Sequence, residues 1–453
     1  MEELQQLAMH IVESARKSGA TAADCVIHEG NEFSTTIRCG EVEQLKEAGA
    51  KSLGLRVFLD HRTASTYTSD FSRQGIERLV ADAVAASQVT SEDPCAGLPE
   101  PEVVGQYPED LDLFSEDVTH LEARSMMDLA RRAEQAAFAF DPRIQNSEGS
   151  TFDAVYGRKI LATSEGFLGD YRRSSCSLSV VPIAVSGPEA GGQGMQRDYW
   201  YSISRSLAGL EPPEEIGRKA AERAVRRLGA RKVATCRVPV VFDQRTARSI
   251  LGSLFEALSG ESIYRRASFL AGKLGETVAS EAVTIVDDGT LRGGFGSSPF
   301  DDEGVRTGRT IVIERGVLKS YLLNCYTARK LGLKTTGNAG RGVAGNPGVR
   351  PKNFFLEPGP ESPEEIIGSV ENGFYITEFM GFGFNAVTGD LSYGAAGLWI
   401  ENGELAYPVQ EVTIAGNLLE MLRAITQVGN DLEFRGAIAA PTLKVAEMTV
   451  AGQ

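Results

Sequence analysis

Apolar side chains recur at helical spacing at the start of the chain and then give way to β-branched and aromatic runs. The first pattern predicts an amphipathic helix that ends at Gly19, with an apolar side formed by Leu4, Leu7, Ala8, Ile11, Val12 and Ala15. Residues 24–37 and 52–68 are punctuated by glycines, which predicts a small antiparallel sheet. A second helix is expected over residues 76–86. The proline-rich, acidic stretch 90–108 then predicts a connector that closes a first unit.

The middle of the chain repeats this change from helical to strand-like patterns. Thr119 followed by Glu122 matches a capping box, so we expect a helix there with apolar positions at Met126, Met127, Leu129, Ala130 and Ala133. Three strands are predicted, over residues 152–156, 175–185 and 199–206. A closing helix is expected over residues 212–228. This order is typical of an α+β unit.

The last part of the chain begins with a short apolar strand at Val238 and a helix over residues 246–259. The buried side of this helix is expected to consist of Ala247, Ile250, Leu251, Leu254, Phe255 and Leu258. Two similar segments, 313–318 and 400–405, each predict a β-hairpin, and the Asn402-Gly403 pair in the second favours a type I′ turn. We therefore expect a strand-rich C-terminal half.

These patterns together predict an α+β protein of three domains. We expect an N-terminal α/β domain with its proline-rich connector at residues 1–108 and a middle α+β domain at 109–232. A β-rich C-terminal domain with antiparallel sheets follows at 233–453. The length of 453 residues agrees with this number, because domains average roughly 150 residues.

Charge and composition narrow the function. The net charge of -15 repels polyanions, so we expect neither a nucleic acid nor an anionic membrane as a direct partner. The six cysteines are scattered without a C-x-x-C pair, and the chain starts without the features of a signal peptide. We therefore expect a soluble cytoplasmic protein with reduced thiols.

Histidine is absent from most of the chain. The four histidines, His10, His28, His61 and His120, all precede residue 121. Imidazole is the commonest metal ligand and the usual general base near neutral pH. The C-terminal two-thirds must therefore rely on carboxylates, hydroxyl groups and backbone.

Acidic and glycine-rich segments are the remaining candidates for chemistry. A carboxylate cluster that could ligate a hard cation consists of Asp287, Asp288, Asp301, Asp302 and Glu303. Acidic residues before glycine are also usual at exposed turns, so a metal is not the favoured interpretation. The glycine-rich run 337–348 has neither of the common phosphate-binding patterns, and we expect a mobile loop there.

Small residues over 388–396 would let another backbone approach a strand edge. We therefore expect an extended peptide to bind at Thr388, Gly389, Asp390, Ser392 and Gly394. Ser392 lies in a sequence that superficially resembles a nucleophile elbow, but the spacing is wrong and no histidine lies nearby in the sequence. A binding role is favoured over nucleophilic catalysis.

Several long motifs resemble the TldD/PmbA family, and specifically its PmbA (TldE) branch. They include GLRVFLDHRTASTYTSD in the N-terminal part and SIYRRASFLAGKLGE, PFDDEGVRTGRT, YTARKLGLKTTGNAG and TGDLSYGAAGLWIENGELAYPVQEVTIAGNL in the C-terminal part. The resemblance implies a three-domain α/β and β-rich fold and a two-subunit assembly. It also implies metallopeptidase complexes that cut short or unfolded peptides, with a historical link to DNA gyrase.

The resemblance further implies where a zinc site would lie. In the catalytic TldD branch a helix carries an H-E-x-x-x-H motif, and a distant cysteine completes the site. Here Phe255 and Gly260 stand at the two histidine positions and Glu256 at the glutamate, while residues 431–442 contain no cysteine. A zinc site needs three or four nitrogen, sulfur or carboxylate ligands, so Glu256 is expected to be a structural or interface carboxylate rather than a catalytic one.

The resemblance and the missing ligands together imply a non-catalytic PmbA/TldE-like subunit that binds no metal itself. Its partner would be a TldD-like paralogue that carries the zinc, in a homo- or heterodimer acting on peptides. Two alternatives remain open. One is a peptidase that uses a carboxylate-bound metal, and the other is a non-enzymatic modulator of DNA gyrase or of a toxin-antitoxin system.

Overall fold

Strands from the first and middle parts of the chain join in one antiparallel sheet. The computed structural model describes residues 2–186, 194–381 and 383–452. Over those residues the sheet has seven strands: β1 Ala22–Arg38, β2 Glu41–Leu59, β3 Arg62–Thr68, β4 Ile144–Thr163, β5 Leu168–Val185, β6 Met195–Arg197 and β7 Trp200–Ser204. Their order is β3-β2-β1-β4-β5-β6, and β7 also pairs with β5. Because β1 pairs with β4 as well as β2, the sheet crosses residue 108, and the domain division there stays a prediction.

Helices cover one face of this sheet. Side chains at alternate positions of β1, including Cys25 and Phe33, are buried beneath them. The helices are α1 Glu2–Lys17, α2 Arg73–Val89, α3 Ala123–Phe140 and α4 Pro213–Arg226. The first two pack at one end of the sheet, and the second two pack at the other end. The helices predicted at the N-terminus, at 76–86 and at 212–228 are confirmed.

The predicted start of α3 is wrong. Thr119 ends a short 3₁₀ turn over Glu116–Val118, and its hydroxyl donates to the carbonyl of Glu116 at 2.8 Å. The helix begins at Ala123, and Glu122 at its N-cap makes no side-chain capping bond. The threonine hydroxyl is thus engaged in the turn before the helix, so the capping box does not form.

In the described residues, the C-terminal half contains a two-stranded sheet and two larger sheets with α5 Gln244–Leu258 between them. Its remaining strands are β8 Cys236–Phe242, β9 Ile285–Asp288, β10 Arg309–Glu314, β11 Val317–Leu318, β12 Ala339–Gly340, β13 Gly348–Val349, β14 Phe354–Leu356, β15 Asn372–Met380, β16 Asp390–Glu401, β17 Glu404–Asn417, β18 Ile425–Val428, β19 Ile438–Ala439 and β20 Leu443–Ala451. Its shorter helices are α6 Gly260–Tyr264, α7 Cys325–Leu331, α8 Pro363–Gly368 and α9 Leu418–Arg423.

The two larger C-terminal sheets differ in size but share one core. In the described residues the strand orders are β11-β10-β9-β14-β19 and β17-β16-β15-β8-β20-β18. Helix α5 contacts β14 and β19 of the first and β8 and β15 of the second. Its apolar side joins the largest buried cluster of the chain. With 25% helix and 40% strand overall, the α+β prediction is confirmed.

Both predicted hairpins form. Ile313 pairs with Leu318 across a turn in which Arg315 and Gly316 have φ of +46° and +83°. Asn402 and Gly403 have φ of +54° and +79°, as a type I′ turn requires. The sequence therefore specified these turns locally.

The glycine-rich run 337–348 is a loop over residues 341–347, as the sequence predicted, and its mobility stays a prediction. The ends of the loop are joined by the β12–β13 hairpin, in which Ala339 pairs with Val349 and Gly340 with Gly348. The side chain of Arg341 within it is only 2% exposed. This side chain anchors the loop on the first sheet. Within the described residues, no helix combines the length and apolar character needed to cross a bilayer.

Candidate functional site

The helix that carries the motif positions is fixed at both ends. Asp243 caps its N-terminus, since one carboxylate oxygen accepts from the Thr246 N–H at 2.9 Å. The helix follows directly from β8, so the strand and the cap set its direction. At its C-terminus the chain turns at Ser259 and continues as α6. The three positions of interest therefore lie at the junction between α5 and α6.

Phe255 has become part of the core. Its ring packs edge-on against that of Phe354 with ring centroids 5.6 Å apart. The side chain is half-buried and lies against the large C-terminal cluster. An aromatic pair of this kind contributes about 0.5–1.5 kcal/mol beyond its buried area. The position that would hold the first zinc ligand therefore serves packing.

Gly260 leaves no room for a side chain. A Cβ atom built on it would lie 2.5 Å from Oγ1 of Thr327 and 2.6 Å from Cδ2 of Leu323. Contacts this short do not occur in relaxed structures, so a histidine could not be accommodated without displacing α7. The residues at positions 255 and 260 do not fit a zinc ion, either by chemistry or by space.

Glu256 is exposed beside a buried tyrosine. Tyr393 is only 4% exposed, and its hydroxyl lies 3.0 Å from Oγ of Ser253 on the same helix as Glu256. Burial raises the pKa of Tyr393, and the carboxylate of Glu256 adds to this effect against the Ser253 hydrogen bond. The structure therefore brings Glu256 next to the segment that the sequence predicted for peptide binding.

That segment forms the start of β16. Thr388 donates from Oγ1 to Asp390 at 2.7 Å, and Asn417 donates to both the Thr388 carbonyl and the Asp390 carboxylate. These bonds to Thr388 and Asn417 lower the pKa of Asp390. The side chains of Thr388, Asp390 and Ser392 are exposed. They form a polar strip at the end of the six-stranded sheet.

More backbone groups of this segment are already paired than the sequence suggested. Ser392 pairs with Ala415 on β17, and its N–H donates to the Gly383 carbonyl at 2.7 Å on the other side. Gly394 lies between Met380 and Thr413 in the same way. Peptide binding at these residues stays a prediction, and it would have to use side chains rather than a free strand edge.

The segment that lacks the expected cysteine also lies beside α5. Gln244 at the start of the helix donates to the carbonyl of Asp431. The Asp431 carboxylate accepts from both the N–H and the hydroxyl of Thr442, at 2.9 and 2.8 Å. The polar groups of this segment bond to each other. The described residues contain no group of three or more histidine, cysteine or acidic side chains arranged to hold a metal.

The five carboxylates considered for a metal are bound by the protein's own donors. Asp301 accepts the backbone N–H groups of Glu303, Val305 and Ala339 at 2.9–3.0 Å. Asp302 forms an ion pair with Lys159 of β4. The peptidase that uses a carboxylate-bound metal therefore lacks support from the geometry.

The other three carboxylates are engaged in the same way. Asp287 accepts from Asn338 at 2.6 Å, Asp288 accepts from Thr290, and Glu303 accepts the Cys325 N–H at 2.8 Å. Burial raises the pKa of Asp287 to about 6 and that of Asp301 to about 7. The acidic segments thus organise the interior of the C-terminal half.

A polar junction between the two halves of the molecule was not predicted from the sequence. The face of the first sheet opposite the helices carries Asp24, whose carboxylate pairs with Arg56 of β2 and Arg341 of the β12–β13 hairpin. All three side chains are at most 5% exposed. A single charged residue within an apolar strand, as in LGLRVF around Arg56, was the available signal.

Comparison with known proteins agrees with this architecture. Three family models match in chain order: PmbA/TldA metallopeptidase domain 1 at residues 23–87, the central domain at 116–228 and the C-terminal domain at 235–452. The chain thus contains, in order, the three domains of which this metallopeptidase family is built. The chain belongs to the PmbA/TldD family, and the predicted resemblance is confirmed.

Individual relatives cover the whole chain. Metalloprotease PmbA of Escherichia coli O157:H7 is 40% identical over all of this chain and 96% of its own length. Two solved structures cover 100% of both chains, from Bacteroides thetaiotaomicron (28% identity, TM-score 0.92) and Thermotoga maritima (31%, 0.89). Both are named for a suggested role as modulators of DNA gyrase.

Proposed function

We propose that this chain is the non-catalytic, PmbA/TldE-type subunit of a peptidase complex that degrades or processes short or unfolded peptides. Its partner would be a TldD-like paralogue whose H-E-x-x-x-H helix binds the zinc and cleaves the peptide. The name of the Escherichia coli relative supports the link to proteolysis. We further propose that the complex is cytoplasmic and binds neither nucleic acid nor membranes directly, since a net charge of -15 repels polyanions.

The observation that carries this proposal is the closure of position 260. The absence of a histidine at this position would not by itself exclude zinc, because another side chain there could serve as the ligand. Here Thr327 and Leu323 occupy the space that any side chain at position 260 would need. Phe255 in turn contributes to the core through Phe354. Both former ligand positions therefore support folding, and zinc hydrolysis would have to come from another chain.

We propose that exposed side chains near the motif helix bind the peptide. Glu256, Thr388, Asp390 and Ser392 are exposed, and the buried Tyr393 links the motif helix to the start of β16. In a dimer whose partner supplies the zinc, this strip would line the approach to the active site. It would orient a peptide through side-chain hydrogen bonds without taking part in bond cleavage.

Reconstitution tests the proposal. Unfolded casein carrying a fluorescent label is incubated with this chain alone, with the paralogue alone, and with both. We expect chelator-sensitive cleavage only when the paralogue is present, with the highest rate for the complex. Glu256→Gln in this chain should change that cleavage rate by less than about threefold. A side chain that binds the substrate and the transition state equally well has only a modest effect on the rate. Replacing the motif glutamate of the paralogue should abolish it.

Two results would refute the assignment. One is chelator-sensitive cleavage by this chain alone that co-purifies with it at constant specific activity. The other is failure of the two chains to associate at micromolar concentration in size-exclusion chromatography. Thr388→Val with Ser392→Ala serves as a matched variant of the strip, because both replacements keep the strand intact. It should raise KM for casein and leave kcat of the complex unchanged.

A further inference from the structure

A cavity of about 380 Å³ lies where the two halves of the molecule meet. It begins next to α6, immediately beyond the closed position 260. The first sheet contributes Arg56 and Phe58, α6 contributes Tyr264, and the loop and helix around residue 325 contribute Asn324 and Tyr326. From the C-terminal half Glu303 lines it, as does Thr327, which also packs against Gly260.

The cavity carries a buried positive charge on one wall. Arg56 is 4% exposed and donates through Nε and Nη2 to Asp24 at 2.8 and 2.6 Å. Arg341 pairs with the same carboxylate. Two guanidinium groups therefore share one carboxylate, and this triad has a surplus positive charge. Within the described residues, Nη1 of Arg56 makes no hydrogen bond.

A buried negative charge lies on another wall. Glu303 is 3% exposed, and its Oε2 accepts the Cys325 N–H at 2.8 Å. Among the described ion pairs, Arg56 and Glu303 do not form one with each other, so more than 4.0 Å separates their charged atoms. Although burial acts to lower the pKa of Arg56, the carboxylates of Asp24 and then Glu303 raise it above its usual value. The two opposite charges thus face one cavity without neutralising each other directly.

Three aromatic rings line other parts of the cavity. The Arg56 guanidinium lies 4.9 Å from the centroid of the Phe58 ring. At the other side Tyr264 and Tyr326 pack edge-to-face with centroids 5.9 Å apart. Hydrogen bonds from the Tyr326 hydroxyl and the Lys330 ammonium to Asp93 hold this side in place, at 2.8 and 2.9 Å. Three charged side chains, Asp93, Glu261 and Arg265, line the cavity as well, and the last two pair with each other. The three rings therefore offer a ligand apolar surface between charged groups.

We propose that this cavity binds a small zwitterion of the amino acid class, a free amino acid or a dipeptide, with its carboxylate at Arg56 and its ammonium at Glu303. A ligand with both charges offsets the cost of keeping two unlike charges apart in a buried site. Its side chains would lie against Phe58 and the two tyrosines. The choice of a peptide-derived ligand rests on the proposed function, since such molecules are the products of peptide cleavage.

Blocked ligands test this assignment on the chain alone, without the paralogue. Binding of Leu-Leu, N-acetyl-Leu-Leu and Leu-Leu-amide is measured by isothermal titration calorimetry. Each block removes one charge, and a charged hydrogen bond in a buried site contributes about 1.5–3 kcal/mol. We therefore expect each blocked dipeptide to bind at least about tenfold more weakly than Leu-Leu. Equal binding of all three, or no binding of Leu-Leu at millimolar concentration, would overturn the proposal.

Two glycines on the same hairpin provide matched protein variants. Gly348 lines the cavity and Gly342 does not, and a Cβ at either position would meet no atom within 4 Å. Gly348→Phe should abolish binding of Leu-Leu, and Gly342→Phe should leave it unchanged. Parent-like binding by a folded Gly348→Phe variant would overturn the proposal. If that variant fails to fold by circular dichroism, the blocked-ligand series decides alone.

This experiment is independent of the subunit assignment. Binding without association to a paralogue would support the cavity and refute the proposed complex. Association and cleavage without dipeptide binding would support the proposed complex and refute the dipeptide site.

Discussion

Gly260 and Thr327 are in such close contact that a Cβ on the glycine would lie 2.5 Å from the threonine hydroxyl. This relationship joins two residues of α6 and α7 that are 67 positions apart in the sequence. The contact gives a steric reason why position 260 cannot hold a histidine in this fold. The stability of variants at position 260 therefore tests whether the former ligand position has been closed.

Alanine at two glycines should act in opposite directions. Gly260→Ala should lower the free energy of unfolding by about 1–3 kcal/mol, since overpacking forces α6 and α7 apart. In the matched variant Gly252→Ala, the added Cβ would be 4.0 Å from its nearest neighbour, on Ile438. That variant should be neutral or stabilising by up to about 1 kcal/mol, because alanine favours the helix interior. Urea denaturation followed by circular dichroism measures both, and equal effects would contradict the closed position.

Phe255 should stabilise the fold through its contact with Phe354. Phe255→Ala is expected to cost about 1–3 kcal/mol, less than a fully buried phenylalanine because the ring is half-buried. A double-mutant cycle with Phe354→Ala should show a coupling of about 0.5–1.5 kcal/mol. Phe255→Leu serves as the control and should retain most of the stability. A coupling near zero would mean that the ring does not serve packing.

The ion pair between Lys159 and Asp302 should hold the two halves together. Lys159 lies on β4 of the first sheet and Asp302 in the C-terminal half, and each side chain is about 10% exposed. Although burial acts to raise it, the pKa of Asp302 is lowered by the Lys159 ammonium. Lys159→Met should therefore cost about 3–5 kcal/mol, since it leaves Asp302 buried without its cation.

Replacing both partners should cost less than replacing one. In Lys159→Met with Asp302→Leu, neither charge of this pair is left without its partner, and part of the loss should be recovered. Arg73→Ala, which breaks an exposed pair with Glu77 on α2, should change stability by less than about 1 kcal/mol. Thermal unfolding in low salt provides the comparison. A double variant as unstable as Lys159→Met would argue against the pair as the cause.

His28 should make the folded chain sensitive to acid. Burial, with the Lys159 ammonium as the next cause, lowers the pKa of His28 to about 4 from the usual value near 6.5. The folded state therefore favours the neutral imidazole, whose Nε2 is buried without a hydrogen bond in the described chain. Stability from this group is complete above pH 6.5 and is lost as the pH falls towards 4.

The variant His28→Gln isolates this contribution. The parent should lose up to about 3 kcal/mol more than the variant between pH 7 and pH 4, since each pKa unit corresponds to about 1.4 kcal/mol. His10→Gln at the surface controls for removal of an imidazole. Urea midpoints at several pH values give the measurement. Parallel stability profiles for the parent and His28→Gln would exclude the buried neutral histidine.

The sequence predicted those elements that depend on local interactions. The apolar stripe of α5 and the turn at Asn402 and Gly403 follow from spacing and from the φ values that glycine and asparagine tolerate. The anchoring of Arg341 on Asp24 could not be predicted, because these residues are 317 positions apart. The sequence of the run 337–348 shows its glycines, which favour a mobile loop, but does not show that Arg341 pairs with Asp24.

The candidate site shows the same difference. The family motif predicted the positions of Phe255, Glu256 and Gly260 on one helix, but the helix breaks at Ser259, so Gly260 begins α6. The side chain that fills the space beside Gly260 could not be predicted, because Thr327 belongs to a helix that is distant in the sequence. The acidic cluster was identified as a possible metal site from composition alone. Only the fold shows that backbone N–H groups and Lys159 bind those carboxylates.

The most direct test of the central claim is the zinc content of each subunit. This chain and its H-E-x-x-x-H paralogue are purified separately, saturated with zinc, passed through a desalting column and analysed by mass spectrometry for metal per chain. The account predicts about one zinc ion in the paralogue and less than about 0.1 in this chain, because structural zinc sites require a full set of ligands. One zinc ion per molecule of this chain, lost together with its stability or activity on chelation, would contradict it.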